Sequence, residues 1–232
     1  MKHEFALFYK DLVESENLII TDQDVCHRIM HVLRKKEGDD LVLFNKDHHG
    51  VFTLKELNSK KIAGILKDFQ KNQTYTPHIK LFLPVLKKEA LSEAVYRAVE
   101  CGVSEIQLVM TEKVQRKWQG TKELERLQRV VVAAAEQSKH FLVPNICEPI
   151  SFSDALNNPG VEQLLCADPE GESVRKVVQG KSIGIFLGPE AGLTQKELDE
   201  LKNSEAFFFK LTPTILRAQQ AASLSVAFLR SL

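Results

Sequence analysis

The chain is predicted to be α/β, with a small β-rich unit over residues 1–74 followed by a larger unit over 75–232 built on a mostly parallel sheet. Three observations predict this. Short β-type segments crowd the first third, strands and amphipathic helices alternate afterwards, and the polar, proline-containing stretch KNQTYTPH (Lys71–His78) separates the two patterns. With 232 residues there is chain enough for each unit to bury its own core.

In the first unit the β-type segments are DDLVLFN (39–45), GVFTLKEL (50–57) and KIAGILKDF (61–69), with His48-His49-Gly50 read as a turn between the first two. Strands this short and close suit a small barrel or sandwich. One helix is expected before them, from about Asp22 to Lys35.

The second unit opens with the apolar strand HIKLFLPVL (78–86). Leu91, Ala94, Val95, Ala98 and Val99 then recur at i, i+3, i+4, i+7 and i+8, one face of an amphipathic helix, and Gly102 supplies its stop. After the strand SEIQLVM (104–110), Leu124, Leu127, Val131, Val132 and Ala135 mark a second helix bounded by Pro144. A short helix near Phe152–Leu156, the strand EQLLCAD (162–168) and the strand SIGIFLG (182–188) follow. Thr194 and Glu197 form a capping box that starts the next helix. The strand AFFFKL (206–211) and a helix from about Thr214 to Arg230 close the run. Such alternation implies a mostly parallel sheet with helices on both faces. The last helix, with AASLSVAFL (221–229) small or apolar almost all round, is destined for the core or for a subunit interface.

Lysine plus arginine equals aspartate plus glutamate at 31 each, so a nucleic-acid partner would be held by a local basic face. Cys26, Cys101, Cys147 and Cys166 stand far apart, which offers neither a zinc ribbon nor a disulfide framework and suits a reducing compartment. No apolar run approaches membrane-spanning length and the N-terminus is too broken by charge for a signal segment, so a soluble, cytoplasmic protein without a membrane partner is expected. Dinucleotide-binding glycine, Walker A, zincin and serine-elbow patterns are absent. His27 and His31 lie one helical turn apart but lack a third ligand, so no metal is expected.

Two stretches invite a ligand. GPEAG (188–192) and LTPTILR (211–217) both leave the C-terminal ends of predicted strands, where open α/β sheets bind ligands, and could line one pocket. Two basic runs, Arg34-Lys35-Lys36 and Lys113 with Arg116 and Lys117 beside Trp118, could grip phosphates or simply be solvated.

Five segments in order carry a resemblance: VLRKKEGD (32–39), VECGVSEI (99–106), AAEQSK (134–139) with Val143-Pro144 after it, LGPEAGLTQKE (187–197) and LTPTILR. Together they resemble the ribosomal RNA small subunit methyltransferase E (RsmE) family of the SPOUT class, over nearly the whole chain. The resemblance implies a PUA-like RNA-binding β-barrel over 1–74 and a SPOUT domain over 75–232 with a trefoil knot. It further implies an obligate homodimer, S-adenosylmethionine as cofactor, and methylation of N3 of uridine 1498 in the 16S rRNA of the small ribosomal subunit. Carried over residue by residue, Leu187, Gly188, Glu190, Gly192, Leu211, Thr212, Ile215 and Leu216 would bind the cofactor. Arg217 and Glu190 would be catalytic, and Arg28, Arg34, Lys35, Arg116 and Lys117 would hold RNA.

The chain departs from the family pattern at Ala191, at Gln219 where a glutamate is usual, at Thr212 and Thr214, at Ala90, at Asn45 and at Arg28. Arg217 is expected to stabilise negative charge developing on the uracil ring or to grip a phosphate. Glu190 either orients the nucleotide or cofactor or favours the start of the following helix. Two competing readings remain: a non-enzymatic RNA-binding or assembly protein, and a SPOUT enzyme acting on a different RNA base.

Overall fold

A computed structural model describes residues 5–173 and 180–232. The chain folds as two compact units: 1–74 together with 135–143, and 75–134 together with 144–232. The first unit ends at residue 74, and the nine residues 135–143 join it.

In the first unit, β1 (Ala6–Phe8), β2 (Asn17–Ile20), β3 (Asp40–Phe44), β4 (His48–Leu57) and β5 (Ile62–Lys71) form one sheet in the order β1-β3-β4-β5-β2. β3, β4 and β5 run as an antiparallel meander, and β1 joins β3 in parallel. Alternation sends Phe52 and Leu54 of β4 inward, into a core with Leu7, Ile20, Ile29, Leu41, Leu43 and Ile62. Among the described residues no pairing joins β1 to β2, so the sheet is open at both ends where the sequence leads one to expect a barrel.

Two local expectations are corrected here. His48 and His49 lie in β4, not in a turn. The turn is set one step earlier by Asn45, whose side-chain oxygen accepts from the amides of Asp47 (2.9 Å) and His48 (2.7 Å). The helix expected over 22–35 is shorter: α1 (Gln23–His27), capped by the Asp22 carboxylate, continues as a π-helical turn over Arg28–Val32. Arg34, at φ 51°, then turns the backbone out of the helix.

The second unit holds a fully parallel six-stranded sheet of β6 (His78–Pro84), β7 (Glu105–Met110), β8 (Asn145–Ser151), β9 (Gln163–Ser173), β10 (Ser182–Phe186) and β11 (Phe207–Lys210), in the order β11-β9-β10-β6-β7-β8. Its helices are α2 (Lys88–Glu100), α3 (Thr121–Ser138), α4 (Phe152–Asn157), α5 (Gln195–Asn203) and α6 (Ala218–Arg230). α2 buries the five residues its periodicity predicts and packs against α6. On α3, Leu127, Val131 and Ala135 are buried as expected, while Leu124 and Val132 are only half-buried. Gly102 follows α2 at φ 87°, a left-handed stop that glycine tolerates, and its carbonyl accepts from Arg230 Nε at 2.8 Å.

β8 escapes the sequence pattern because Pro149 interrupts it; it is an edge strand, where a missing N–H is tolerated. The last helix begins at Ala218 and not at Thr214. Residues 212–217 form the loop before it, pinned by a 2.8 Å bond from Thr212 Oγ1 to the Thr214 carbonyl. α6 buries Ala218, Ala222, Ser225, Val226 and Leu229 but leaves Leu224 43 % exposed, so only one of its faces belongs to the core.

Candidate functional site

Because all six strands point the same way, their C-terminal ends share one edge of the sheet, and the order β11-β9-β10 makes three of those ends neighbours. A cavity of about 720 Å³ opens there. Its walls are residues 167–169 within β9, where the pairing with β11 shifts register, residues 187–193 after β10, and residues 209–219 from β11 to the first turn of α6, with Ala90 of α2 at its margin.

The β10 loop is compact because two glycines allow it. Gly192, at φ 69°, closes a turn by donating to the Pro189 carbonyl at 2.8 Å. A Cβ on Gly188 would lie 3.3 Å from the Leu193 amide nitrogen, tighter than most such contacts, so glycine lets the loop fold back on itself. Lys113 ties down the far side, donating to the carbonyls of Ala191 (3.2 Å) and Leu193 (2.9 Å). The predicted capping box is present: Thr194 Oγ1 accepts from the Glu197 amide and Glu197 accepts from the Thr194 amide at 2.8 Å. The second Glu197 oxygen, buried, accepts from the Glu112 amide at 2.9 Å, which fixes the loop after β7 to the same corner.

Glu190 is exposed at the rim. Its Oε1 accepts from the Lys87 amide at 3.3 Å, at the start of α2 and not at the helix that follows it in sequence. Opposite, Leu211, Ile215 and Leu216 supply apolar surface; Ile215 is 84 % exposed, a large side chain left without a protein neighbour to cover it. Arg217 is the exposed N-cap of α6, with its backbone N–H on Gln220 Oε1 at 3.3 Å and its guanidinium free of hydrogen bonds among the described residues. Gln219 lines the cavity in the next turn.

All nine residues expected in the cofactor and catalytic sets therefore line this one cavity: Leu187, Gly188, Glu190, Gly192, Leu211, Thr212, Ile215, Leu216 and Arg217. The β9 wall, Ala167-Asp168-Pro169, is absent from that expected set. The sequence signal that could have found it is the Asp-Pro pair at the end of a predicted strand.

The expected RNA-binding residues are elsewhere. In the first unit, Arg28 makes a two-bond ion pair with Glu136, one bond being 3.0 Å, and Glu136 also accepts from the Phe8 amide. Lys35 donates to the Asp40 carbonyl at 2.9 Å, while Arg34 is exposed. In the second unit Arg116 is bound to Glu123 through both terminal nitrogens (2.9 and 2.7 Å) and to the Leu86 carbonyl, and Lys117 is exposed. Burial pushes the Glu123 carboxyl up, but the bonds from Arg116 and the Gln119 amide outweigh it and hold the group below the usual carboxylate range. Among the described residues no group of three or more His, Cys, Asp or Glu is placed to hold a metal, and no helix is long and apolar enough to cross a membrane.

Residues 73–230 match the family described as RNA methyltransferase domain. Along its whole length the chain is 27 % identical to ribosomal RNA small subunit methyltransferase E of Rickettsia conorii, covering 97 % of that protein. It is 24 % identical to the Bacillus subtilis protein of the same name, with 95 % of this chain and 92 % of that one aligned. The crystal structure of ribosomal RNA small subunit methyltransferase E from Neisseria gonorrhoeae, bound to S-adenosyl methionine, superimposes with a TM-score of 0.88 at 21 % identity, covering 99 % of this chain and 98 % of that one.

Proposed function

Since the chain belongs to the RNA methyltransferase domain family, we propose that it is an S-adenosylmethionine-dependent ribosomal RNA methyltransferase of the RsmE type, acting on N3 of uridine 1498 of 16S rRNA. The observation that carries the reading is the single cavity built from the 187–193 and 209–219 loops at neighbouring strand ends.

The cavity suits the cofactor. At about 720 Å³ it lies within the range of pockets that take drug-sized ligands. Leu187, Leu211, Ile215 and Leu216 offer apolar faces for the adenine, and the backbone of Gly188 and Gly192, unscreened by side chains, offers polar groups at close approach. Bound there, S-adenosylmethionine supplies an electrophilic methyl group on a positively charged sulfur. The chain's own task is to hold the acceptor nitrogen in line with that methyl, which is worth several powers of ten when the geometry is right.

Arg217 is placed to meet the nucleotide. It caps α6 at the cavity mouth and makes no ion pair among the described residues, so its charge would be available to the uracil oxygens as the ring becomes anionic, or to a flanking phosphate. Glu190, held at the start of α2, would orient the nucleotide from the other rim. For the RNA body, Arg34 and Lys117 are the exposed members of the expected set. Arg28, Lys35 and Arg116 have internal partners and would serve RNA by shaping the surface more than by direct charge.

The first unit would act as the PUA-like RNA holder, and the strand, loop and helix from Phe207 to Arg230 as the threaded part of a trefoil knot. Two copies would pair; the uncovered Leu224 on α6 supports a partner on that face. A second reading, an RNA-binding protein without catalysis, is favoured by one observation: the cavity carries the amide of Gln219 where relatives of this type usually carry a carboxylate.

The test is methyl transfer from labelled S-adenosylmethionine to small ribosomal subunits lacking the N3-methyluridine, with the new methyl mapped by reverse-transcription stops. A stop at uridine 1498 is expected, and Arg217→Ala should abolish transfer while leaving cofactor binding in place. Cofactor binding without any transfer by the unaltered protein would favour the non-catalytic reading. Label at another nucleotide would keep the chemistry and discard the target.

A further inference from the structure

Transfer to N3 requires that the uracil lose its N3 proton, and the cavity has few groups able to take it. Among the described residues four ionisable side chains line it: Asp168, Glu190, Lys210 and Arg217. A guanidinium does not accept protons, and an ammonium has no lone pair to do so. Gln219, an amide, is no base either. Two carboxylates are left.

They differ in what already occupies them. Glu190 is exposed at the rim, and its Oε1 is engaged by the Lys87 amide. Asp168 is half-buried within β9, the strand flanked on either side by the other two strands whose loops build the cavity. Its Oδ1 accepts from the Glu170 amide at 2.8 Å, and Oδ2 has no hydrogen bond among the described residues. The Oδ1 bond restrains the carboxylate of this cavity-lining residue, and among the described residues its second oxygen has no partner.

We propose that Asp168 is the proton acceptor of the transfer reaction, its free Oδ2 taking the N3 proton of the target uracil. The inference rests on the methyltransferase reading given above. As the N3–H bond breaks, the proton goes to Oδ2 and the electron pair stays on nitrogen. That pair forms the N–CH₃ bond while the carbon–sulfur bond breaks with its electrons going to sulfur, so a cationic sulfonium becomes a neutral thioether and the methylated base is neutral. Asp168, now neutral, returns its proton to solvent after release.

Asp168→Asn isolates this role. The amide oxygen can still accept from the Glu170 amide, so the local turn survives, but the side chain can no longer take a proton. In single-turnover assays at neutral pH with saturating S-adenosylmethionine, the variant should transfer methyl about 100-fold or more slowly, the scale of a lost general base. Its Kd for S-adenosylmethionine, measured by calorimetry, should match that of the unaltered protein. The deficit should narrow as the pH rises, because alkali ionises the uracil N3 without help; Glu190, Lys210 and Arg217 are common to both proteins and cancel in the comparison.

An undiminished rate would overturn the proposal, and so would a loss of cofactor affinity in proportion to the loss of rate, which would make Asp168 a cofactor ligand. A deficit equal at every pH would reduce it to a positioning residue. Should the unaltered protein itself bind the cofactor yet transfer nothing to the subunits, the reaction assignment fails and this inference falls with it, an outcome separate from any difference between the two proteins.

Discussion

Replacing Arg116 by alanine separates two readings of one residue. A basic side chain beside a tryptophan suggests an RNA contact, whereas the structure bonds the guanidinium to Glu123 at 2.9 and 2.7 Å and to the Leu86 carbonyl at 2.6 Å. The Glu123 side chain is 2 % exposed, so truncating Arg116 strands a carboxylate in the interior. Breaking a buried ion pair costs about 3–5 kcal/mol. Arg116 itself is 20 % exposed, the Gln119 amide still donates to Glu123, and Arg126 remains 3.7 Å away. A loss of roughly 2–4 kcal/mol is therefore expected, a fall in Tm on the order of 5–15 °C for a chain of this size.

The sign of the pH dependence follows from the depressed Glu123 carboxyl. A group held below its unfolded value contributes stability at pH above that value and loses it as pH falls through the folded one. The deficit of Arg116→Ala should thus be full at neutral pH, begin to fade as the pH falls below the ordinary glutamate value of about 4.3, and vanish only below the depressed folded value, where Glu123 is protonated in both proteins. Urea denaturation followed by the fluorescence of Trp118, the one tryptophan, two residues from the substitution, measures it directly. An unchanged midpoint together with weakened binding to ribosomal subunits would refute the scaffold role. A deficit that persisted undiminished in acid would refute its electrostatic origin.

Two further outcomes are expected. Gly171 of β9 lies against the backbone of β11: a Cβ there would stand 2.5 Å from Phe209 N and 2.6 Å from its Cα, and backbone atoms cannot rotate away. Gly171→Ala should cost about 1–3 kcal/mol or more by overpacking, and should weaken S-adenosylmethionine binding, since the displaced strands carry two walls of the cavity; thermal melts and calorimetry check it, and an unaltered Kd would count against the assigned pocket. Burial pushes the Cys166 thiol up to about 12, and burial likewise raises Cys26, Cys101 and Cys147, so a disulfide-exchange reagent at pH 8 should react slowly with the native protein and leave Cys166 untouched until denaturant is added.

What was legible in the sequence was what local chemistry decides. The i, i+3, i+4 face of α2, the Thr194–Glu197 capping box, the Gly102 stop and the glycine loop after β10 all depend on neighbours within a few residues. Misreadings came where a distant partner decided. Arg28 and Arg116 look like solvated cations until Glu136 and Glu123 are brought to them. His48-His49 reads as a turn because its polarity hides the pairing of β4 with β5, and β8 goes unread because nothing local says that it lies at a sheet edge. The open sheet of the first unit, in place of a closed barrel, likewise depends on which strands meet.

Sheet order explains why Asp168, the least signposted of the ionisable wall residues, lies on the central of the three strands. The three strands that feed the cavity run β9, β10, β11 along the chain but β11-β9-β10 across the sheet, so the first of them is flanked by the other two. Its cavity-lining residues, 167–169, therefore share that cavity with residues of both neighbouring loops, the glycine loop and the 211–217 loop. Asp168 is half-buried, whereas Glu190 is exposed. A group that must take a proton from a base in a narrow space gains from being central and held, whereas one that orients an incoming nucleotide gains from standing at the rim. Conspicuous motifs therefore build the outer walls of this site, and an unremarkable Asp-Pro pair occupies its middle.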